Sequence, residues 1–422
     1  MANEFECKTC SSRRDFLRTG FFGVGVGLSM PFVFEHTATA MAADSYFGAS
    51  EGAPERILVV VEMTGGNDGL NTVVPYRNDV YYQKRPTIAV KAENVLKLND
   101  EIGLHPSMNG MKHLWDDGKL AIVQGCGYPN PNRSHFTSME YWHTAVPNAV
   151  ESNGWIGRFA DARWPQPTSG LLVNIAAKQS LAVMSSRHAP VVFSDPRRYV
   201  RAGDPSQAPV YQEFLEAHDD KSNKTLAFVR DISRTAQSSS GKVRDAVASY
   251  RTPISYGSES LASTLSTDLR KVTALINAGF PTRVYYVNMS GFDTHAAQAN
   301  QQTGLLMYVA DALEGFMKDL KRIGRSQDVA LMMFTEFGRR VEENQSGGTD
   351  HGAASPMYII GEKVKPGMYS KYPSLTDLDS NGDLQMTADF RSVYCTMIQE
   401  WMKFDGAQAV LKGKFEPLGV FA

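Results

Sequence analysis

"RILVVVEMTGGNDG", residues 56–69, is an apolar, β-branched run that stops in a glycine-rich polar turn. Ile57 to Val61 show no apolar/polar alternation, so the segment reads as a strand covered on both faces, as in a parallel sheet. Further strands are expected at 120–123, 283–287, 328–334 and 356–360. Between them, a helix begins near Ser134, and another follows Gln298 with Leu305, Val309, Ala312, Phe316 and Leu320 on one face. A closing helix is expected over 388–403. Strands alternating with helices predict an α/β fold, a three-layer sandwich around a mostly parallel central sheet. Residues 207–250 are polar and helical in character, so the stretch from about 200 to 265 is the candidate helical insertion.

Ligand sites of open α/β sheets lie beyond the carboxyl ends of the strands, and here those ends are polar. The first strand runs into Gly65-Gly66-Asn67-Asp68, the second into Asn132-Arg133-Ser134-His135, and the third into Gly291-Phe292-Asp293-Thr294-His295. The fourth runs into Thr335-Glu336-Phe337-Gly338-Arg339, with Gly348-Thr349-Asp350-His351-Gly352 close behind. Carboxylates and neutral imidazoles converging from separate strands suit a divalent ion such as zinc or manganese. Two ions about 4 Å apart would clamp a phosphate or sulfate ester.

Each motif also has a plain structural reading. Asp68 can cap a helix or turn, Asp293 can bond nearby backbone in a turn, and Glu336 can pair with Arg339 or Arg340 at the surface. Asp350-His351 can be an ordinary loop. Ser134 is either an N-cap or a nucleophile placed where helix-terminal N–H groups and Arg133 favour an anion. His135 is a ligand or polar packing, and His105, His113, His143, His188 and His218 read as structural or exposed.

Ser12-Arg13-Arg14-Asp15-Phe16-Leu17-Arg18 resembles the twin-arginine export motif. A short glycine-broken apolar run and the small residues Ala38-Thr39-Ala40 and Ala40-Met41-Ala42 follow, the layout of a cleaved leader over 1–42. The expected mature chain, 43–422, is periplasmic or secreted, has no membrane anchor, and has met the twin-arginine translocase on its way out. That route carries folded proteins, which fits a metal loaded before export. The balanced charge, formally −2, suggests no nucleic-acid partner. The mature cysteines, Cys126 and Cys395, allow one disulfide at most. No G-x-G-x-x-G, mature C-x-x-C or haem motif points to redox chemistry.

The leader together with "GGNDGLNTVVPY", "YPNPNRSHFTSMEYW", "GWIGRF", "GFDTHAAQ", "TEFGR" and "GTDHG", in that order, resembles the exported bacterial family known as domain of unknown function 1501. The resemblance covers nearly the whole chain. That family is grouped with the alkaline phosphatase and sulfatase superfamily. The resemblance thus implies an alkaline phosphatase-like sheet with a two-metal site and a Ser, Thr or formylglycine nucleophile. Carried over, Asp68 matches the first-strand metal ligand, Ser134 the nucleophile, and Asp293 and His295 the ligands of one ion. Either Asp350 and His351 match the superfamily's Asp-His pair, or Glu336 takes the Asp role and His351 that of a later single His. The C/S-x-P-x-R setting of formylglycine sulfatases is absent, since Cys126-Gly127-Tyr128-Pro129-Asn130 does not supply it. The implied activity is hydrolysis of a small-molecule or glycan ester by one or two divalent ions, with Ser134 attacking and Arg133 steadying the anion. The alternative is a non-catalytic exported protein used for binding or cell-surface assembly.

Overall fold

The expected first strand, β1, spans Ile57–Thr64 and is buried on both faces up to its last residue. The computed structural model describes residues 56–421 except 169, 200–207, 218–225, 227–229, 231–239 and 259–263. The leader and cleavage signals over 1–42, and His218, lie outside the described residues.

In chain order the main sheet continues with β2 (Leu120–Gly127), β3 (Leu172–Ile175), β4 (Val191–Val192) and β5 (Val284–Ser290). It ends with β6 (Val329–Phe334), β7 (Ser355–Gly361), β8 (Gly367–Tyr369) and β9 (Ala388–Asp389). The strand order is β8-β2-β7-β6-β1-β5-β3-β4, with β9 also paired to β2. Every pairing is parallel except those of β7, which runs antiparallel to β2 and β6. The three-layer sandwich with a mostly parallel sheet is therefore present. β1 lies between β5 and β6, with Val61 opposite Val287 on one side and Met333 on the other. The carboxyl ends of these three strands consequently open side by side.

Alternate residues of β1 feed two cores, since side chains of a strand point to opposite faces. Ile57, Val59, Val61 and Met63 pack toward α1 (Asn109–Asp116), α4 (Leu265–Asn277) and α5 (Gln298–Arg322). Leu58 and Val60 pack toward α2 (His135–Thr144), α3 (Trp155–Arg163) and α6 (Phe390–Thr396). On this second face Trp142 stacks on Phe390, with ring centroids 4.2 Å apart, and Trp155 on Tyr394 at 4.3 Å. Fully buried aromatics of this size dominate core energetics, and Trp142 locks α2, whose first residue is His135, onto the sheet.

Some elements differ from expectation. The closing helix is shorter, because residues 388–389 pair with β2 and α6 passes into a π-helical turn at Met397–Trp401. The candidate insertion contains helical stretches at Ala208–Glu216 and 240–249. Cys126 and Cys395 are both free and buried; the Cys126 thiol contacts the Val123 carbonyl and the Cys395 thiol that of Phe415. No helix among the described residues is long and apolar enough to cross a membrane.

Candidate functional site

Where β1, β5 and β6 end, the loops that follow approach closely. Gly65 has φ +123°, and a Cβ there would stand 2.4 Å from the Asp293 amide nitrogen, so glycine is required by both backbone and space. Its N–H donates to Glu336 Oε1 at 2.8 Å. The buried Arg339 guanidinium donates to the carbonyls of Gly66 (2.6 Å), Thr349 (2.8 Å), Phe292 (3.1 Å) and Gly65. Arg339 also donates to Asp293 Oδ1 at 2.7 Å. One cation thus ties the turn after β1, the turn after β5 and the loop before His351 to a single carboxylate.

Around Asp293 stand three imidazoles. His135 Nδ1 lies 2.7 Å from Glu336 Oε1, and its ring packs against those of both Phe337 and His351. His135 Nε2 is buried without a hydrogen-bond partner, 3.4 Å from Asp293 Oδ2. His351 Nδ1 faces the Arg133 carbonyl at 2.8 Å; a carbonyl only accepts, so the proton sits on Nδ1 and neutral His351 presents the Nε2 lone pair. That Nε2 is 3.1 Å from Asp293 Oδ1 and 2.9 Å from His295 Nε2. His295 Nε2 is itself 3.0 Å from Asp293 Oδ1, and its Nδ1 is 3.4 Å from Asp350 Oδ1. His135, Asp293 and His351 each offer one ligand atom, all within 4.8 Å of one another.

The electrostatics favour a cation among these atoms. Burial acts to raise the Asp293 pKa, but the bond from Arg339 and the charges of Arg339 and His135 outweigh it and hold the carboxyl down at about 2. Burial keeps His351 below the ordinary imidazole value, which favours the neutral ligand form. The bond from His135 to Glu336 raises His135 above that value against its own burial. Such a carboxylate-backed imidazole is a common outer-shell arrangement at metal sites, fixing the ring and raising its basicity.

Asp293, His295, Asp350 and His351 are therefore brought together, and His135 joins them. Glu336, expected as a ligand, stands behind His135: it is fully buried, and its oxygens take the Gly65 amide, His135 Nδ1 and the Thr335 hydroxyl. Neither it nor Arg339 makes a surface pair, as both are buried. Asp68 is placed elsewhere. It caps the turn through Leu70 N–H and pairs with buried Arg85 at 2.6 Å, its carboxylate committed to protein donors. The Arg133 guanidinium, expected to steady a substrate anion, is held by buried Asp383 through Nε at 2.7 Å and Nη2 at 2.5 Å. Ser134 is the exposed N-cap residue of α2, but its side chain makes no capping bond.

His143 is not without company either. Its Nε2 is 2.7 Å from Glu62 Oε2, and Tyr286 and Thr64 hydroxyls donate to the same buried carboxylate. Burial pushes Glu62 upward, yet these partners hold it below the usual carboxylate range. His135 and His143 thus anchor both ends of α2 to carboxylates from the sheet. The sequence pointed to Arg339 only as a surface partner of Glu336 and did not single out Glu62 or Gln298, whose signals were a polar residue within an otherwise apolar strand and the closing Gln of "GFDTHAAQ".

A family model described as "Protein of unknown function (DUF1501)" matches residues 55–415. No curated protein gives a significant sequence match. Among solved structures, the C-terminal periplasmic domain of EcEptC from Escherichia coli, in complex with Zn, is similar at 10% identity with TM-score 0.36, covering 74% of this chain and 75% of that one. The PsFucS1 sulfatase from Pseudoalteromonas sp. gives 10% identity, TM-score 0.38 and coverage of 94% and 77%. The phosphonate monoester hydrolase SpPMH from Silicibacter pomeroyi gives 10%, 0.37, 86% and 76%.

Proposed function

The chain belongs to the DUF1501 family, and for this member we propose a metal-dependent hydrolase of phosphate or related esters, exported by the twin-arginine route and acting on small-molecule or glycan esters in the periplasm or outside the cell. The observation that carries the reading is the buried His135 Nε2, which has no hydrogen-bond partner, is backed by Glu336 through Nδ1 and stands 3.4 Å from Asp293 Oδ2. A buried polar atom without a hydrogen bond calls for an explanation, and a divalent cation shared with Asp293 and His351 provides one. His295 borders that position. The set of imidazoles with a carboxylate suits zinc or manganese. When bound, such an ion supplies positive charge to the oxygens of the group being transferred.

The protein's own groups account for the remainder of the reading. Ser134 is exposed, adjacent to His135, and not used as a cap, so its hydroxyl is the candidate nucleophile. The first N–H groups of α2 favour the incoming anion. Attack by Ser134 Oγ forms the bond to phosphorus as the bond to the ester oxygen breaks, the serine proton passing through solvent to the departing alcohol, and water then cleaves the phosphoserine to release phosphate and restore the serine hydroxyl. Buried Phe337 packs against the His135 and His351 rings behind the cluster.

Elemental mass spectrometry of the natively exported, mature protein is expected to show one or two equivalents of zinc, manganese or a similar ion. Dialysis against a chelator is expected to remove the metal and the ester hydrolysis together. A metal-free, well-folded protein would overturn the reading in favour of a non-catalytic binding or assembly role. Ser134→Ala is expected to lower turnover at least about a thousandfold, with metal content and thermal unfolding unchanged; wild-type turnover in that variant rules Ser134 out.

A further inference from the structure

We infer that Gln298 is a positioning residue of the metal pocket. It is the first residue of α5 and fully buried. Its Oε1 accepts hydrogen bonds from the Thr294 hydroxyl (3.0 Å) and the Thr349 hydroxyl (2.6 Å). Thr294 lies between Asp293 and His295, and Thr349 immediately precedes Asp350 and His351. One carboxamide oxygen thus links both loops that carry the cluster. The loops also bond directly, Thr349 N–H to the Thr294 carbonyl at 3.3 Å, and the Gln298 N–H reaches the Gly347 carbonyl at 2.9 Å.

The other half of the amide fixes its orientation. Nε2 donates to Asp68 Oδ2 at 2.5 Å and to Gln302 Oε1 at 3.2 Å. An ionised carboxylate only accepts, so the NH₂ faces Asp68 and the oxygen faces the two threonines. Asp68 is in turn held by Arg85, which also donates to the carbonyls of Arg340 and Val341, just beyond Arg339. The "GGNDG" motif therefore serves the pocket from behind: Asp68 orients Gln298, and Gln298 sets the spacing of Asp293 and His295 against His351. A side chain held in one rotamer by buried bonds is what a preorganised ligand set needs, and loss of an outer-shell partner typically costs about 10–100-fold in metal affinity.

The inference rests on the proposed metal reading, and its test separates the two. Mature Gln298→Met, similar in length but lacking the carboxamide, is compared with wild type by cobalt(II) titration against a competing chelator. Cobalt affinity is expected to fall about 10–100-fold, with changed visible bands. Thr349→Val is expected to move in the same direction and Thr349→Ser to retain wild-type behaviour, which keeps the test alive if Gln298→Met does not fold. A second readout needs no metal. In histidine-labelled apo protein, the ¹⁵N signals of His295 and His351 should shift in Gln298→Met while those of His113 and His188 stay in place. Wild-type cobalt affinity and unshifted His295 and His351 signals would overturn the role, even with a lower melting temperature. Wild-type protein that binds no cobalt would defeat the metal reading, and the apo spectra would still decide for or against the positioning role.

Discussion

Asp68→Ala is expected to destabilise the apo protein by about 3–5 kcal/mol, the usual cost of breaking a buried ion pair from one side. Arg85 and Asp68 are both buried, and the pair distance is 2.6 Å. Without Asp68 the guanidinium keeps its bonds to the carbonyls of Val341 and Arg340 and to Asn71 Oδ1, but it has lost its counter-charge. The Leu70 amide and Gln298 Nε2 also lose an acceptor. Replacing both partners, Asp68→Ala with Arg85→Met, should recover part of the loss, because no buried charge is stranded. Urea unfolding of chelator-treated protein checks both variants. The expectation fails if Asp68→Ala loses less than about 1 kcal/mol. A first-strand metal ligand would behave differently: its removal would lower bound metal while leaving the apo protein close to wild type.

The contrast between Asp68 and Asp293 shows what was legible in the sequence. The strands β1, β2, β5, β6 and β7 were readable because continuous apolar runs broken by glycine or polar turns have few other uses. The short β3 and β4, with four and two residues, give no period to detect. Convergence of 293, 295, 350 and 351 followed from their placement after strands that proved to flank β1 on either side. The partners of Asp68 and Arg133 did not follow. Arg85 is 17 residues from Asp68 and Asp383 is 250 from Arg133, and no local pattern encodes such pairings. Glu336 sat in the right place for a ligand, yet the side chain turns to Gly65 and His135. An acid next to a site can hold a metal or hold the histidine that does, and spacing alone does not separate the two.

Asp293→Ala is expected to lower metal affinity by more than about a hundredfold, beyond the range typical of outer-shell losses, and to destabilise the apo protein as well. Asp293 faces His135 with one oxygen and Arg339, His295 and His351 with the other. Arg339 is buried and bonds four carbonyls, but Asp293 is the carboxylate it reaches, so the variant leaves that cation without a counter-ion. The two effects carry different pH signatures. The Asp293 carboxyl sits at about 2, below its ordinary value near 3.8. A carboxylate depressed in the folded state stabilises it fully above the unfolded pKa and ceases to do so as pH falls through the folded one. The stability gap between wild-type and Asp293→Ala apo proteins should therefore be constant above about pH 5 and close between about pH 4 and 2. With half of the Asp293 side chain exposed, solvent screening keeps that gap modest. Chemical unfolding of both apo proteins across this range measures it. A gap that persists unchanged to pH 2 would assign the loss to packing and remove the Asp293–Arg339 charge pair as its cause. Metal affinity falls with acid for a separate reason, since His135, raised by Glu336, must give up a proton before it can ligate. A cobalt titration series should accordingly steepen at higher pH in the wild type than the stability curve does.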